Sequence, residues 1–259
     1  MKSPLVWQGG KSRLAKRILG ILPPHEQYCE AFAGAAWVFF AKEPAKFEVL
    51  NDVNSDLVAF YRVVKNHLEE FLRQFKWLLS SREWFEDFSR QQEAGGLTDI
   101  QRAARFYYLQ RQGFGGRVVG RTFGAAPMYR PRVNLLRLEE DMSAAHLRIC
   151  QATIEHLPWE QFIDRYDRPD TLFYLDPPYW GCETDYGRDV FSQSDFYRMA
   201  EVLSSLRGQA VVSLNDTPQV RSIFDKFNII DVTTRYSCGR STNIPASEVL
   251  ITTWPCTLA

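Results

Sequence analysis

The sequence predicts an α/β fold interrupted by one helical insertion, and three observations carry that reading. Short apolar runs closed by turn residues alternate with amphipathic helical stretches at both ends of the chain, the pattern of a parallel sheet with crossover helices. Between them, residues 57–147 keep helical spacing almost throughout. The third observation is charge. Residues 102–137 contain eight arginines (102, 105, 111, 117, 121, 130, 132 and 137) and no lysine, aspartate or glutamate. The whole chain sums to zero, with 31 basic and 31 acidic residues, so this stretch carries +8 and the remainder −8. Such segregation is an electrostatic footprint that the average conceals.

Each element follows in order. Leu14, Ile18, Leu19, Ile21 and Leu22 lie among basic residues in 10–22, which predicts a helix ended by Pro23-Pro24. Residues 27–32 form a short apolar strand running into a Gly/Ala turn, a helix starts over 37–41, and a second strand over 46–50 is closed by Asn51-Asp52. The insertion opens with Leu57, Phe60, Tyr61, Val64 and Leu68 at helical spacing, breaks at Gly95-Gly96, and resumes as a helix from Asp99 to Gln110. A flexible Arg- and Gly-rich loop follows at 112–117. Strand alternation returns at 148–152. Residues 171–175 are a nearly continuous apolar strand, as at the centre of a parallel sheet. A helix over 194–206 capped by Ser192 or Ser194, a strand at 209–214, a helix at 219–227 and strands at 229–233 and 248–254 complete the pattern. The expected division is an α/β domain from 1–56 and 148–259, with 57–147 as a helical insert.

Composition narrows the class. With 259 residues, 45% apolar and 24% charged, the chain is an ordinary globular protein large enough to bury a core without disulfide or metal staples. No apolar run approaches the roughly 20 residues of a membrane helix, and the N-terminus has no signal-peptide core, so no membrane partner is expected. Five cysteines, odd in number and widely spaced, argue against a disulfide framework and fit a reducing, cytoplasmic setting. Four scattered histidines suggest no metal centre.

The strongest local signal is Asp176-Pro177-Pro178-Tyr179, directly after the strand at 171–175. Ligands of open α/β sheets bind at the carboxyl ends of strands. Two prolines fix the backbone and leave carbonyls uncommitted to a helix. A carboxylate, a free carbonyl and an aromatic face together suit a planar heterocycle with an exocyclic amine. Cys182 nearby has no paired histidine in the sequence and is read as passive.

Leu175-Asp176-Pro177-Pro178-Tyr179 resembles motif IV of DNA N6-adenine methyltransferases. Further segments, in order, are similar to the Dam-type (D12 class) family: Trp7-Gln8-Gly9-Gly10-Lys11 to its N-terminal segment, residues 30–36 to its cofactor loop, residues 51–57 to its second-strand motif, and residues 213–217 to a segment after the fifth strand. The resemblance implies a Rossmann-like S-adenosylmethionine-dependent methyltransferase sheet of about seven strands with a helical target-recognition insertion. It implies S-adenosylmethionine as methyl donor, no metal, and double-stranded DNA as partner, with the protein a monomer in solution.

Within that resemblance, Phe32 and Gly34 belong to the turn that approaches the cofactor, Asp52 is placed to bind a ribose diol, and Trp7 to cover an aromatic ring. Lys11 can pair with a carboxylate or reach the flipped nucleotide's phosphate. Ala31 and Ala36 stand where the family usually has proline and a second glycine; alanine at 36 costs little unless its φ is positive. Asp176 and the Pro177 carbonyl would accept the two N6 hydrogens, Asp176 also touching the cofactor, with Pro178 holding the turn and Tyr179 stacking on the base. In the insert, Arg117 and Arg121 are the expected base readers, with Arg130 and Arg132 as further DNA contacts, Arg240 as a candidate from a late loop, and Arg102 and Arg105 as structural or phosphate residues. Phe114 and Phe123 are candidate wedges. Alternatives are the same chemistry on RNA adenine or cytosine N4, and a catalytically idle nucleic-acid-binding relative.

Overall fold

The computed structural model describes residues 1–124, 132–187, 190–238 and 241–257, with the side chains of 234–238 and 241–246 not described. The first elements are α1 (Ala15–Ile21), β1 (Gln27–Glu30), α2 (Trp37–Ala41) and β2 (Phe47–Asn51). Five helices follow: α3 (Ser55–Asn66), α4 (Leu68–Arg73), α5 (Arg82–Ala94), α6 (Asp99–Gln112) and α7 (Leu135–Ile149). The chain then returns to β3 (Thr153–Glu155), α8 (Trp159–Tyr166), β4 (Thr171–Leu175), α9 (Gln193–Ser204), β5 (Gln209–Asn215), α10 (Pro218–Ile223), β6 (Asn228–Cys238) and β7 (Ser241–Thr252).

The strands form one seven-stranded sheet in the order β3-β2-β1-β4-β5-β7-β6. All pairings are parallel except those of β7, which lies antiparallel to both β5 and β6. Strand order reverses between β1 and β4, where Glu30, the last residue of β1, is the register partner of Tyr174, the penultimate residue of β4. That switch point opens a crevice at the carboxyl ends of the strands. Every residue of β4 is buried, because successive side chains enter the cores on opposite faces. Leu172 and Tyr174 join the core shared with α1 to α7, whereas Phe173 and Leu175 join the core with α8 to α10.

Several element bounds differ from those the sequence predicts. Residues 148–149 are the last turn of α7, not a strand. Leu138, Met142, Ala145 and Ile149 form one buried helical stripe, and Arg148 is held there by ion pairing to Glu48 and by donating to the Phe39 carbonyl at 2.8 Å. The returning strand is only Thr153–Glu155. The first helix starts at Ala15 rather than at residue 10, after the turn in which Lys11 carbonyl accepts from Leu14 and Ala15. Helix α10 ends at Ile223, and the sheet's last two strands are longer than expected because they pair as a hairpin. α9 begins where predicted: the Ser192 and Asp195 side chains form a reciprocal cap. α8 carries no prediction above. The two borders read from the sequence, 56/57 and 147/148, both fall inside helices, α3 and α7, and α3 to α7 share one core with a face of the sheet.

Candidate active site

The turn after β1 is shaped by two left-handed residues. Gly34 has φ +47, and Ala36 has φ +50 and ψ +41. The condition under which alanine at 36 is costly is therefore met. A Cβ on Gly34 would lie 2.8 Å from the Trp7 indole nitrogen, so only glycine lets the loop approach that ring. The turn is pinned from beneath: Gly34 N–H donates to Asp52 Oδ2 at 2.9 Å, and Tyr61 hydroxyl donates to the Gly34 carbonyl at 2.7 Å. Asp52 Oδ1 also accepts from Asn54 N–H at 2.8 Å, while Asn54 caps α3. At the end of β2, the Asn51 amide donates to the Ala31 and Leu157 carbonyls and accepts from Leu157 N–H, locking two loops together.

These loops enclose a cavity of about 410 Å³, within the usual range of small-molecule sites. Trp7, Lys11, Phe32, Gly34, Asp52, Asp176 and Pro178 all line it; Trp159, Tyr186 and Phe191 complete its aromatic walls. Trp7 stacks on Tyr186 at 6.3 Å between centroids and 18° between planes. Pro177 and Tyr179 do not line this cavity. The Lys11 ammonium lies 4.8 Å from the Tyr179 ring centre.

Asp176 lines the cavity and is held from the side of Lys11 and Ser213. Its Oδ1 accepts from Lys11 Nζ at 2.6 Å and from Ser213 Oγ at 2.9 Å, and Ser213 in turn meets the Tyr174 hydroxyl at 3.0 Å. No other described residue bonds to Oδ2, so that oxygen is available to a ligand. Burial pushes the Asp176 carboxyl above the ordinary range, and Lys11 and Ser213 oppose the shift. Burial likewise raises Asp52 and lifts Glu30, which accepts from Tyr28 hydroxyl and Phe39 N–H, to about 8. Lys11, 4% exposed, is a buried cation bonded to Asp176. Among the described residues, no three His, Cys, Asp or Glu side chains are grouped to hold a metal. Cys182 is exposed, with its thiol raised by partial burial and by Asp185 and Glu183.

The arginine-rich stretch is less free in space than in sequence. Arg102 pairs with Asp56 and donates to Ser55. Arg105 lies over Phe88 and bonds Gln91 and Gln74. Arg121 lies over the Phe106 ring at 5.3 Å and donates to the Arg117 carbonyl. Arg132 donates to the Gly113 carbonyl at 2.8 Å, and Arg137 faces Glu140 and Asp141. Arg117 is exposed, and its guanidinium has no partner among the described residues. Arg130 and Arg240 lie outside the described residues. Of the two candidate wedges, Phe114 is exposed, whereas Phe123 is half-buried and packs on Phe85 at 5.5 Å against the core. The 112–117 loop contains a 3-10 turn, Phe114–Gly116, with Gly115 and Gly116 at positive φ.

Ser213, Glu30, Asn51 and Glu248 were not among the residues singled out from sequence. The first three sit inside motif segments quoted above, but most of their partners lie outside those segments: Tyr28 and Phe39 for Glu30, Leu157 for Asn51, and Asp176 and Tyr174 for Ser213. Trp159 and Phe191 belong to no motif.

Residues 7–238 match the D12 class of N6 adenine-specific DNA methyltransferases, and the chain belongs to that family. It is 26% identical to the type II methyltransferase M.CviBI of Paramecium bursaria Chlorella virus NC1A, over 88% of each chain. It is 28% identical to the retron Ec67 DNA adenine methylase of Escherichia coli, over 93% of this chain and 87% of the relative. It is also 28% identical to the DNA adenine methylase of Salmonella typhi, over 95% and 93%. The protein is thus an adenine-specific DNA methyltransferase built on a seven-stranded α/β sheet.

Proposed function

We propose that the chain transfers a methyl group from S-adenosylmethionine to the N6 amine of an adenine flipped out of a specific double-stranded DNA site. The observation that carries this reading is Asp176 on the wall of a small-molecule cavity, with Oδ1 fixed by Lys11 and Ser213 and with Lys11 itself lying against the Tyr179 ring. The cavity fits the cofactor on its own terms: a turn whose Gly34 has no room for a Cβ, a half-buried acid at the next strand end, and aromatic walls. Trp7, Lys11, Phe32, Gly34, Asp52 and Asp176 would hold it. The cofactor supplies a methyl group on a sulfonium centre.

The protein's part is positional and electrostatic. The N6 lone pair is delocalised into the purine ring, so the amine must move toward tetrahedral geometry to attack. Asp176 Oδ2 accepts one N6 hydrogen and the Pro177 carbonyl the other, stabilising that geometry as positive charge develops. Pro178 fixes the turn, Tyr179 stacks on the base, and alignment of the two reactants supplies much of the acceleration. A base buried in a duplex must leave the stack first. In this reading residues 57–147 form the target-recognition unit. Arg117 reads bases, Arg121, Arg130 and Arg132 support the DNA contact, and the protein acts as a cytoplasmic monomer.

The test is to sequence N6-methyladenine in DNA from cells expressing the chain, which also yields the site. Asp176→Ala should then cost about 10²–10³ in rate on a duplex carrying that site, the span for loss of one preorganised electrostatic partner. Retention of half the wild-type rate would remove Asp176 from the chemistry.

A further inference from the structure

Part of the cavity wall comes from a segment with little to hold it. Residues 182–186 run between Gly181, at φ +84, and Gly187, at φ +130, and contain one 3-10 turn, Glu183–Tyr186. None of residues 181–187 is buried, and none joins either core. Tyr186 nevertheless lines the cavity and stacks on Trp7. The backbone bonds of this strap are local: Cys182 N–H donates to the Tyr179 carbonyl at 2.8 Å, Asp185 N–H to Cys182 at 3.1 Å, and Gly187 N–H to Thr184 at 3.2 Å. Among the described residues, its hydrogen bonds to distant parts of the chain all go to Gln8. Gln8 Nε2 donates to Asp185 Oδ2 at 2.7 Å, and the Tyr186 hydroxyl donates to the Gln8 carbonyl at 3.0 Å.

Gln8 is itself a fixed post. Its N–H donates to the Gly116 carbonyl at 3.0 Å, and the turn it sits in is closed by Gly10 N–H donating to the Trp7 carbonyl at 3.1 Å. The cavity residues around it are tied down: Trp7 packs against the core, Lys11 is bonded to Asp176, and Gly34 is held by Asp52 and Tyr61. A segment with few buried contacts and few long-range bonds opens at low free energy, so the strap is the part of this wall that gives way first. We propose that Gln8 is a positioning residue for cofactor retention: it latches the 182–186 strap against the Trp7 turn, and release of the latch lets S-adenosylmethionine enter and the spent cofactor leave. Gln8 acts through Asp185 and Tyr186 and does not itself line the cavity. The proposal rests on the cofactor given above.

The experiment uses the full chain. Hydrogen exchange of the 182–187 amides is measured without ligand, and release of isotopically labelled S-adenosylmethionine is measured in a chase with unlabelled cofactor. Gln8→Ala should speed both by about 10-fold, the low end for loss of a hydrogen bond to a charged group because Asp185 is only half-buried. The amides of β4 should keep their wild-type exchange. This variant retains the bond from Tyr186 to the backbone of residue 8, so the strap is loosened rather than detached. Asp185→Ala should reproduce both effects even if Gln8→Ala folds poorly, and the double variant should add little. Asp185→Asn keeps a carbonyl acceptor for the Gln8 amide and should recover most of the retention. Wild-type cofactor release in a folded Gln8→Ala or Asp185→Ala would overturn the proposal alone, whatever the exchange rates. A wild type that binds no S-adenosylmethionine would overturn the functional reading and the proposal with it.

Discussion

Ala36 shows how magnitudes decide a residue's fate. A non-glycine residue in the left-handed region costs roughly 1–2 kcal/mol, and Ala36 is in it. Its methyl group is buried in the core, a gain of about 0.8 kcal/mol, and alanine loses about 0.5–1 kcal/mol less chain entropy on folding than glycine. The contributions nearly cancel. Ala36→Gly should therefore leave stability within about 1 kcal/mol of wild type in denaturant unfolding, whereas β-branched Ala36→Val should cost more, on the order of 2 kcal/mol or above. A large loss with glycine would show that the methyl group outweighs the backbone strain. At this scale the sequence was legible where chemistry is local: Asp176, Tyr179, Gly34 and Asp52 sit in compact motifs. Ser213 is not legible as a site residue, because its contact is with a residue 37 positions away.

Elements were legible where periodicity was long. α3 and α6 follow the spacing of their apolar residues, while five alternating residues at 148–152 proved too few to separate a strand from the end of α7. The arginine stretch is the instructive case. Its charge is segregated along the chain, yet the compensating acids arrive in space: Asp56 reaches Arg102 from the start of α3, and Glu140 and Asp141 reach Arg137 from the next turn of α7. Arg117 keeps its guanidinium clear of such partners among the described residues. Arg117→Ala should therefore relax preference at one base pair by about 1–3 kcal/mol of discrimination. Arg102→Ala should reduce thermal stability and affect all DNA sequences alike. Methylation rates on single-base variants of the site, at two salt concentrations, separate these outcomes. If Arg117→Ala lowered every rate equally, it would be a phosphate contact.

Across the whole molecule, the seven strands and the crevice at the switch point follow from the alternation of strand and helix, but the placement of β7 between β5 and β6 does not. That order depends on the long β6–β7 hairpin, most of which reads as ambiguous sequence. The crevice also sets the pH response. Glu30, Asp52, Asp176 and Glu248 are all raised, each chiefly by burial. In each case the folded state holds a proton to higher pH than the unfolded chain does. Their stabilising contribution is therefore complete below the ordinary carboxylate range and is lost as pH rises, through about 8 for Glu30. His25, lowered mainly by burial, acts in the opposite sense. Comparing Glu30→Gln with wild type isolates the acid: the variant's Tm advantage should grow from pH 5 to pH 8. A constant difference across that range would mean that Glu30 ionises normally.

Trp7 lies between two glycines that belong to different parts of the protein. On one side is Gly34 of the cofactor turn. On the other is Gly116, where a Cβ would lie 2.9 Å from the Trp7 backbone and whose carbonyl accepts from Gln8 N–H at 3.0 Å and Gln110 Nε2 at 2.6 Å. Trp7 is thus closely packed against both the cavity turn and the 114–116 turn. If cofactor and DNA bind as proposed and Trp7 couples them, the factor by which DNA tightens cofactor binding must equal the factor by which cofactor tightens DNA binding. The two titrations, each with and without the other ligand, should give one common ratio in the range of about 5–150, and Gly116→Ala should bring both ratios toward one. A wild-type ratio of one would mean that Trp7 transmits nothing. A ratio above one would give the enzyme a preference in its order of assembly, so that a cofactor-loaded molecule searches DNA more tightly than a spent one.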